Sequence, residues 1–223
     1  MTALTCSEMK AMDSYAINTI GIPSIVLMEN AALRVIDTID LNTTNSYTVV
    51  CGTGNNGGDG LAVARHLILK NKNVDLFILG NLDKGATDFN INLNILKNIK
   101  ASIIAISDDN GLVELEKSLK NNDLTIDAIF GIGLSRDIKG LFYKVIASIN
   151  ENSKRILSVD IPSGLDGDTG QIKGISVKAD QTVTFHSIKK GLVANKTHSG
   201  DIIVVDIGIP NLTHLIKTEN TLT

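Results

Sequence analysis

The fold is decided by one stretch of sequence, Cys51-Gly-Thr-Gly-Asn-Asn-Gly-Gly-Asp-Gly-Leu61. A β-like run, 47–51, leads into it, and a helix-like run, 61–70, follows it. Glycine lets the backbone approach a ligand closely, and the free N–H groups at a helix start point towards a bound anion. A strand, a glycine loop and a helix in this order therefore predict an anion-binding turn in an α/β protein.

Strands and helices alternate along the rest of the 223-residue chain, whose hydrophobic content of 43% is enough for the core of one large domain. We predict two N-terminal helices within residues 1–40, capped by Ser7 and Ser24. Seven strands are predicted at 46–51, 74–79, 102–106, 125–130, 155–159, 181–185 and 201–206. Helices between them are predicted at 60–70, 87–99, 111–119 and 141–149.

This order of elements predicts the fold class, a doubly wound, mostly parallel sheet in a Rossmann-like, three-layer α/β/α domain. Several strands are nearly continuous apolar runs, as expected where helices cover both faces of a parallel sheet. The last two strands follow one another without a predicted helix between them, so we expect a C-terminal hairpin. We expect residues 1–223 to form a single domain, with 211–223 as a flexible tail.

Composition argues against several classes of protein. The formal net charge is −3 and the basic residues are scattered, so we expect no nucleic-acid partner. Cys6 and Cys51 cannot build a disulfide framework, and the sequence shows neither a signal peptide nor an apolar run of 18 residues. We therefore expect no membrane partner and a reducing, cytoplasmic location.

Polar loops follow four of the predicted strands, at 52–59, 131–137, 160–168 and 186–191. In open parallel sheets, ligands bind beyond the carboxyl ends of the strands, so these loops predict one binding site. Asp127 lies inside an apolar strand and Asp160 ends one, and each carboxylate needs a cation, a helix start or a ligand as its partner. For Asp127, a purely structural partner is the alternative.

Two common nucleotide-binding motifs fit this chain poorly. Gly52-x-Gly54-x-x-Gly57 matches the dinucleotide fingerprint, but the next strand lacks the acidic residue expected at its end. Asp59 would also repel a pyrophosphate there, so an NAD-dependent oxidoreductase is a minor alternative. A P-loop is excluded because no Lys-Ser or Lys-Thr pair follows Gly57. The four histidines show no metal-binding spacing, and His66 is expected on a helix surface.

Together these residues resemble the NAD(P)H-hydrate epimerase family, which has the YjeF N-terminal domain fold. Seven motifs, in order along nearly the whole chain, carry the resemblance. They are Leu27-Met-Glu-Asn-Ala31, Gly52-x-Gly-Asn-Asn-Gly-Gly-Asp-Gly60, Ala64-Arg-His-Leu67, Asp127-Ala-Ile-Phe-Gly-x-Gly133, Val159-Asp-Ile-Pro-Ser-Gly-Leu165, Thr184-Phe185 with Lys189 and Gly191, and Val205-Asp-Ile-Gly-Ile-Pro210.

The resemblance implies an isomerase that interconverts the R and S forms of hydrated NADH and NADPH (NADHX and NADPHX). It implies Asp160 as the acid/base residue, with Lys189 steadying developing charge or binding phosphate. It also implies potassium (K+) as cofactor, with ligands at the positions of Asn56, Asp127 and Ser163. The implied substrate-binding residues are Asn55, Asn56, Gly57, Gly58, Asp59, Gly131, Ile132, Gly133, Leu134, Ser135, Arg136, Asp137 and Asp160.

The resemblance further implies a partner, an NAD(P)H-hydrate dehydratase that is either separate or fused, and a homodimer. The Met-rich opening helices are plausible interface material for such a dimer. A binding module of the same fold, acting in RNA-associated assembly, is the alternative from a different functional class. That alternative predicts loss of the polar loop residues, which this sequence retains.

Overall fold

The computed structural model describes residues 3–210, which are built around one seven-stranded sheet. Its strands are β1 (Ser46–Cys51), β2 (Asn73–Leu79), β3 (Ile103–Ile106), β4 (Leu124–Ala128), β5 (Ile156–Val159), β6 (Gln181–Phe185) and β7 (Asp201–Val205). They lie in the order β3-β2-β1-β4-β5-β6-β7, and every neighbouring pair is parallel. The predicted tail, 211–223, lies outside the described residues.

Helices precede, connect and follow these strands. They are α1 (Cys6–Tyr15), α2 (Ser24–Asp37), α3 (Asn55–Leu69), α4 (Thr87–Asn98), α5 (Asp109–Asn121), α6 (Gly140–Asn152), α7 (Lys190–Ala194) and α8 (Lys196–Ser199). A π-helical turn, Ala16–Ile20, extends α1, and a 3-10 turn, Leu82–Lys84, precedes α4.

Apolar cores fill both faces of the sheet, because successive side chains of a strand point to opposite sides. Val49 of β1 packs with side chains of α2, α3 and α4, whereas its neighbour Val50 packs with those of α5 and α6. Both valines are fully buried. The predicted doubly wound α/β/α domain is thereby confirmed, and its sheet is parallel throughout.

Four local predictions are wrong. The last two strands form no hairpin, because β6 and β7 pair in parallel and the short helices α7 and α8 connect them. Helix α3 begins at Asn55, five residues before the predicted start, so most of the glycine stretch is its first turns. Thr5 rather than Ser7 caps α1, through a reciprocal capping box with Glu8, and Ser24 lies inside α2, after its N-cap residue Pro23.

Strand β1 lies between β2 and β4, so the direction in which strands are added reverses there. At such a reversal the connecting helices leave on opposite faces, and a crevice opens beyond the carboxyl ends of the strands. The polar loops after β1, β4, β5 and β6 all lie at this edge.

The N-terminal segment also reaches this edge of the sheet. The Leu4 N–H donates to the carbonyl of Ile188 at 2.9 Å, and the Lys190 N–H donates to the carbonyl of Leu4 at 3.0 Å. This bridge holds the segment that carries Lys189 against the residues that precede α1.

Candidate functional site

A cavity of about 580 Å³ opens at the reversal point of the sheet, within the size range of small-molecule and cofactor sites. Its walls come from the loop after β1, the first turn of α3, the loop after β4, and the ends of β5 and β6. Helices α1 and α2 contribute Met9, Asp13 and Met28 to the wall. The cavity therefore draws together residues that are far apart in sequence.

Glycines in the first turns of α3 allow this helix to lie against the sheet. A Cβ atom on Gly57 would lie 1.9 Å from the Gly52 carbonyl oxygen, and one on Gly60 would lie 2.5 Å from the Ala128 Cβ. One on Gly58 would lie 2.7 Å from the Met28 methyl carbon. Of the predicted substrate stretch, Gly57 and Gly58 therefore serve packing and do not line the cavity, whereas Asn55, Asn56 and Asp59 do.

Asp160 lies on a tight backbone turn at the end of β5. Its N–H donates to the Val183 carbonyl at 2.8 Å, and the Ile161 N–H donates back to the Val159 carbonyl at 2.8 Å. Its φ of 66° is in the left-handed region, which few residues other than glycine, asparagine and aspartate adopt. Such strained conformations are concentrated at functional sites, where the surrounding structure maintains them.

A buried ion pair joins Asp160 to Lys189, whose side chain is only 1% exposed. The Lys189 Nζ lies 2.6 Å from Asp160 Oδ1, 2.9 Å from Thr184 Oγ1 and 2.9 Å from the Phe185 carbonyl oxygen. These acceptors use all three ammonium hydrogens, so no donor remains for a phosphate group. The arrangement instead fixes the Asp160 carboxylate at the cavity wall.

Asp127 is fully buried and bridges β4, β5 and the loop after β5. Its Oδ2 accepts from Ser158 Oγ at 2.8 Å and from the Ser163 N–H at 2.8 Å, and its Oδ1 accepts from Ser163 Oγ at 2.5 Å. Burial raises the pKa of Asp127, and the hydrogen bonds from Ser163 and Ser158 oppose that rise. Asp127 therefore has structural partners, Ser158 and Ser163, as the alternative prediction allowed.

Asn56 lies beside the loop after β4, with 9% of its surface exposed. Neither Oδ1 nor Nδ2 of Asn56 has a hydrogen-bond partner among residues 3–210. A Cβ atom on Gly131 would lie 3.3 Å from the Asn56 Cβ, and the adjacent Phe130 N–H donates to Ser163 Oγ at 2.9 Å. One short loop segment thus contacts Asn56 as well as the Ser163–Asp127 pair.

Asp59 projects from the first turns of α3 and is 9% exposed. Burial raises its pKa well above the ordinary value, and nearby Asp160, Asp13 and Asp88 raise it further, whereas Lys189 lowers it. Burial and Asp160 likewise raise the pKa of Asp13 to about 6, and Lys189 opposes this rise. The positions of Asp13 and Asp88 at the cavity could not be predicted from the sequence, because they depend on how α1 and α4 pack.

The second predicted substrate stretch is only partly at the cavity. Its first four residues, Gly131, Ile132, Gly133 and Leu134, line the wall together with Arg136. Asp137 lines an adjacent cavity of about 480 Å³ with Arg136, and Ser135 lines neither cavity. The exposed Arg136 is thus a cation placed to reach a ligand phosphate.

His66 was expected on a helix surface, and this expectation is wrong. Its side chain is 14% exposed, and its Nε2 lies 2.8 Å from Glu29 Oε1. Arg65 pairs with the same carboxylate, so this cluster connects α3 to α2.

Within residues 3–210, none of the helices is long and apolar enough to cross a membrane.

Comparison with known proteins identifies the family. The family described as "YjeF-related protein N-terminus" matches residues 24–191. The "NAD(P)H-hydrate epimerase" of Anaerococcus prevotii is 43% identical over 94% of this chain and 96% of its own length. That of Limosilactobacillus fermentum is 41% identical over 92% of this chain and 96% of its own.

Two further matches extend this result. A "Bifunctional NAD(P)H-hydrate repair enzyme" of Moorella thermoacetica is 39% identical over 99% of this chain, but only 42% of that longer protein is covered. The crystal structure of yeast Ynu0 superposes with a TM-score of 0.74 at 23% identity, over 86% of this chain and 84% of the yeast chain, which shows a shared fold. The chain therefore belongs to the family of YjeF-related N-terminal domains.

Proposed function

We propose that this protein is an NAD(P)H-hydrate epimerase, an isomerase that interconverts the R and S forms of NADHX and NADPHX in cofactor repair. The observation that carries the proposal is the Asp160–Lys189 pair, buried at the wall of a cofactor-sized cavity in a chain with epimerase relatives. An NAD-dependent oxidoreductase is not favoured, because the relatives are named as epimerases.

The cavity offers separate environments for the two ends of such a substrate. Arg136 and the first N–H groups of α3 supply positive charge for the phosphates, because those N–H groups have no partner within the helix. Asp160 directly follows β5, and Lys189 lies in the loop after β6, where the hydrated nicotinamide ring would be placed.

We propose that Asp160 transfers the proton on which inversion depends. The C6 hydroxyl of the substrate belongs to a hemiaminal, so the ring nitrogen can expel it once its oxygen is protonated. Water leaves, a planar iminium forms, and water then adds to the other face. Ring opening and reclosure, the other route to inversion, also needs a proton transfer. Lys189 acts as a positioning residue that orients Asp160, since its three donors are already engaged.

We also propose that Asn56, Asp127 and Ser163 hold a K+ ion. The donor set fits such an ion, because amide, carboxylate and hydroxyl oxygens are hard ligands and Asn56 Oδ1 is buried without a partner in the described part of the chain. The ion would supply positive charge to the buried Asp127 and join the loops after β4 and β5 to α3.

K+ is therefore expected to stabilise the protein more than Li+ does at equal ionic strength. At about ten times its dissociation constant, a bound ion adds about 1.4 kcal/mol to the free energy of unfolding, or about 3–6 °C in melting temperature. Thermal unfolding measures this difference directly. Asn56→Ala is expected to remove it, so an equal response to both ions, or a K+ effect that survives in Asn56→Ala, would contradict the assignment.

The proposed activity is tested with purified protein, an R/S mixture of hydrated NADPH and a dehydratase specific for the S form. Alone, the dehydratase should consume the S form and then stop. We expect added protein to clear the R form as well, which restores the NADPH absorbance in full. Persistence of the R form would exclude the epimerase function and favour a non-catalytic binding module.

The functional setting is also proposed. We propose that a separate or fused NAD(P)H-hydrate dehydratase consumes the product, and that both activities are cytoplasmic. The bifunctional repair enzyme of Moorella thermoacetica supports a fused arrangement. We propose a homodimer formed through the opening helices, where Ile20, Val26 and Leu33 are each at least 40% exposed. Light scattering at several concentrations measures this assembly, and a monomeric mass throughout would contradict it.

A further inference from the structure

We propose that Asp59 is a second acid/base residue, acting on the face of the nicotinamide ring opposite to the face served by Asp160. This inference rests on the proposed epimerase function and extends it. The two carboxylates line the same cavity from different elements, Asp160 at the end of β5 and Asp59 in the first turns of α3.

The lack of a partner for Asp59 points to a ligand. Among residues 3–210, no side chain or backbone N–H donates a hydrogen bond to the Asp59 carboxylate, and no cation pairs with it. By contrast, Asp127 accepts hydrogen bonds from two serines, and Asp160 is paired with Lys189. Asp59 is 9% exposed and lines the cavity, so a ligand in the cavity is the partner available to its carboxylate. The Asn56 side chain, which is buried without a partner in the described part of the chain, lies in the same wall.

The two carboxylates have different surroundings. Lys189 Nζ donates to Asp160 Oδ1 at 2.6 Å, so Asp160 has a cation as its partner. The groups that face Asp59 are Asp160, Asp13 and Asp88, whose charges together with burial raise the pKa of Asp59, and Lys189, whose charge lowers it. Two carboxyl groups in one cavity, one paired with a cation and the other beside further carboxylates, are suited to act as base and acid of one site.

Inversion at C6 needs an acid to protonate the leaving hydroxyl and a base to deprotonate the added water. For one epimer, Asp59 gives its proton to the C6 hydroxyl oxygen, the C–O bond breaks with its electron pair leaving in water, and the ring-nitrogen lone pair forms C=N. A second water molecule then adds to C6 from the other face, its electron pair closing the C=N bond back onto nitrogen, and its proton passes to Asp160. The other epimer follows the same steps in reverse, starting with a proton on Asp160. The oxygen on C6 is therefore exchanged with solvent at each inversion.

The experiment uses each purified epimer in water labelled with oxygen-18, and follows label and configuration separately. Wild-type protein is expected to incorporate one labelled oxygen at each inversion. Asp59→Asn should lose at least about 100-fold in epimerisation, as expected for removal of a positioned acid. The Asp59→Asn variant should still exchange the C6 oxygen of one epimer with solvent, through Asp160, with retention of configuration at C6. Asp160→Asn should show the mirror image, with exchange confined to the other epimer.

Several outcomes would overturn the inference. They are inversion by Asp59→Asn at a rate close to that of the wild type, equal loss of exchange in both epimers, and inversion by the wild type without uptake of label. Thermal unfolding distinguishes a fold defect, because loss of the buried carboxylate should leave the melting temperature of Asp59→Asn unchanged or raised. If the wild type fails to epimerise at all, the proposed function fails. If the wild type epimerises but the variants do not show this pattern of oxygen exchange, only the proposed role of Asp59 is refuted.

Discussion

Asp160→Asn is expected to reduce epimerisation by about 10²–10⁴-fold, the usual contribution of a positioned acid/base group. Asparagine can still accept the hydrogen bond from Lys189, but it cannot exchange a proton with the substrate. It also tolerates the positive φ of 66° at this position. We therefore expect affinity for NADPH, used as a substrate analogue, to change by less than about tenfold, because the phosphate-binding groups are unchanged.

Asp160→Ala is the matched control for this variant. Alanine removes the same chemistry, but it also leaves Lys189 with one acceptor fewer and adopts the left-handed conformation poorly. We expect equal loss of activity and a clearly lower melting temperature than for Asp160→Asn. Turnover by Asp160→Asn within about tenfold of the wild type would refute the acid/base assignment, since a catalytic contribution of that kind is at least about 10²-fold.

Gly57→Ala is expected to lower the free energy of unfolding by about 3 kcal/mol or more and to abolish epimerisation. The added methyl would lie 1.9 Å from the Gly52 carbonyl oxygen, and that atom belongs to the backbone and cannot rotate away. Overpacking a well-packed interior typically costs about 1–3 kcal/mol and occasionally more. Helix α3 would have to move off the sheet, and Asn56 and Asp59 would move with it.

Gly54→Ala provides the comparison for stability, measured by urea unfolding. Gly54 has a φ of −86°, which alanine adopts freely, and a Cβ there meets no atom within 4 Å. Because Gly54 is the N-cap of α3, its replacement by alanine is expected to lower the free energy of unfolding by less than about 1 kcal/mol. Similar midpoints for the two variants would show that close approach of helix and sheet is not the reason for glycine at position 57.

The central strands could be predicted from the sequence because burial on both faces leaves nearly continuous apolar runs. Strands β1 and β6 begin and end where predicted. The start of α3 could not be predicted, because glycine-rich sequence has a low helix propensity and only packing against the sheet favours the helix there. Helices α7 and α8 have five and four residues, too few to show a helical period.

The site residues placed by the ends of strands could be predicted from the sequence, whereas those placed by the packing of other segments could not. Asp127, at the end of β4, and Asp160, directly after β5, follow from the strand pattern, since parallel strands bring their carboxyl ends to one edge. The burial of Lys189 and the presence of Asp13 in the cavity wall could not be predicted from the strand pattern. Both require the N-terminal segment to pack against residues 188–190.

The bridge from Leu4 to Ile188 and Lys190 has a consequence for biosynthesis. A ribosome adds about 5–20 residues per second, so the two sides of this contact emerge roughly 10–40 seconds apart. During that interval the N-terminal segment lacks the residues against which it packs. Strands β1, β2 and β3 can already pair with one another. Competence for turnover is thus expected to arise only after residues 188–190 have left the ribosome.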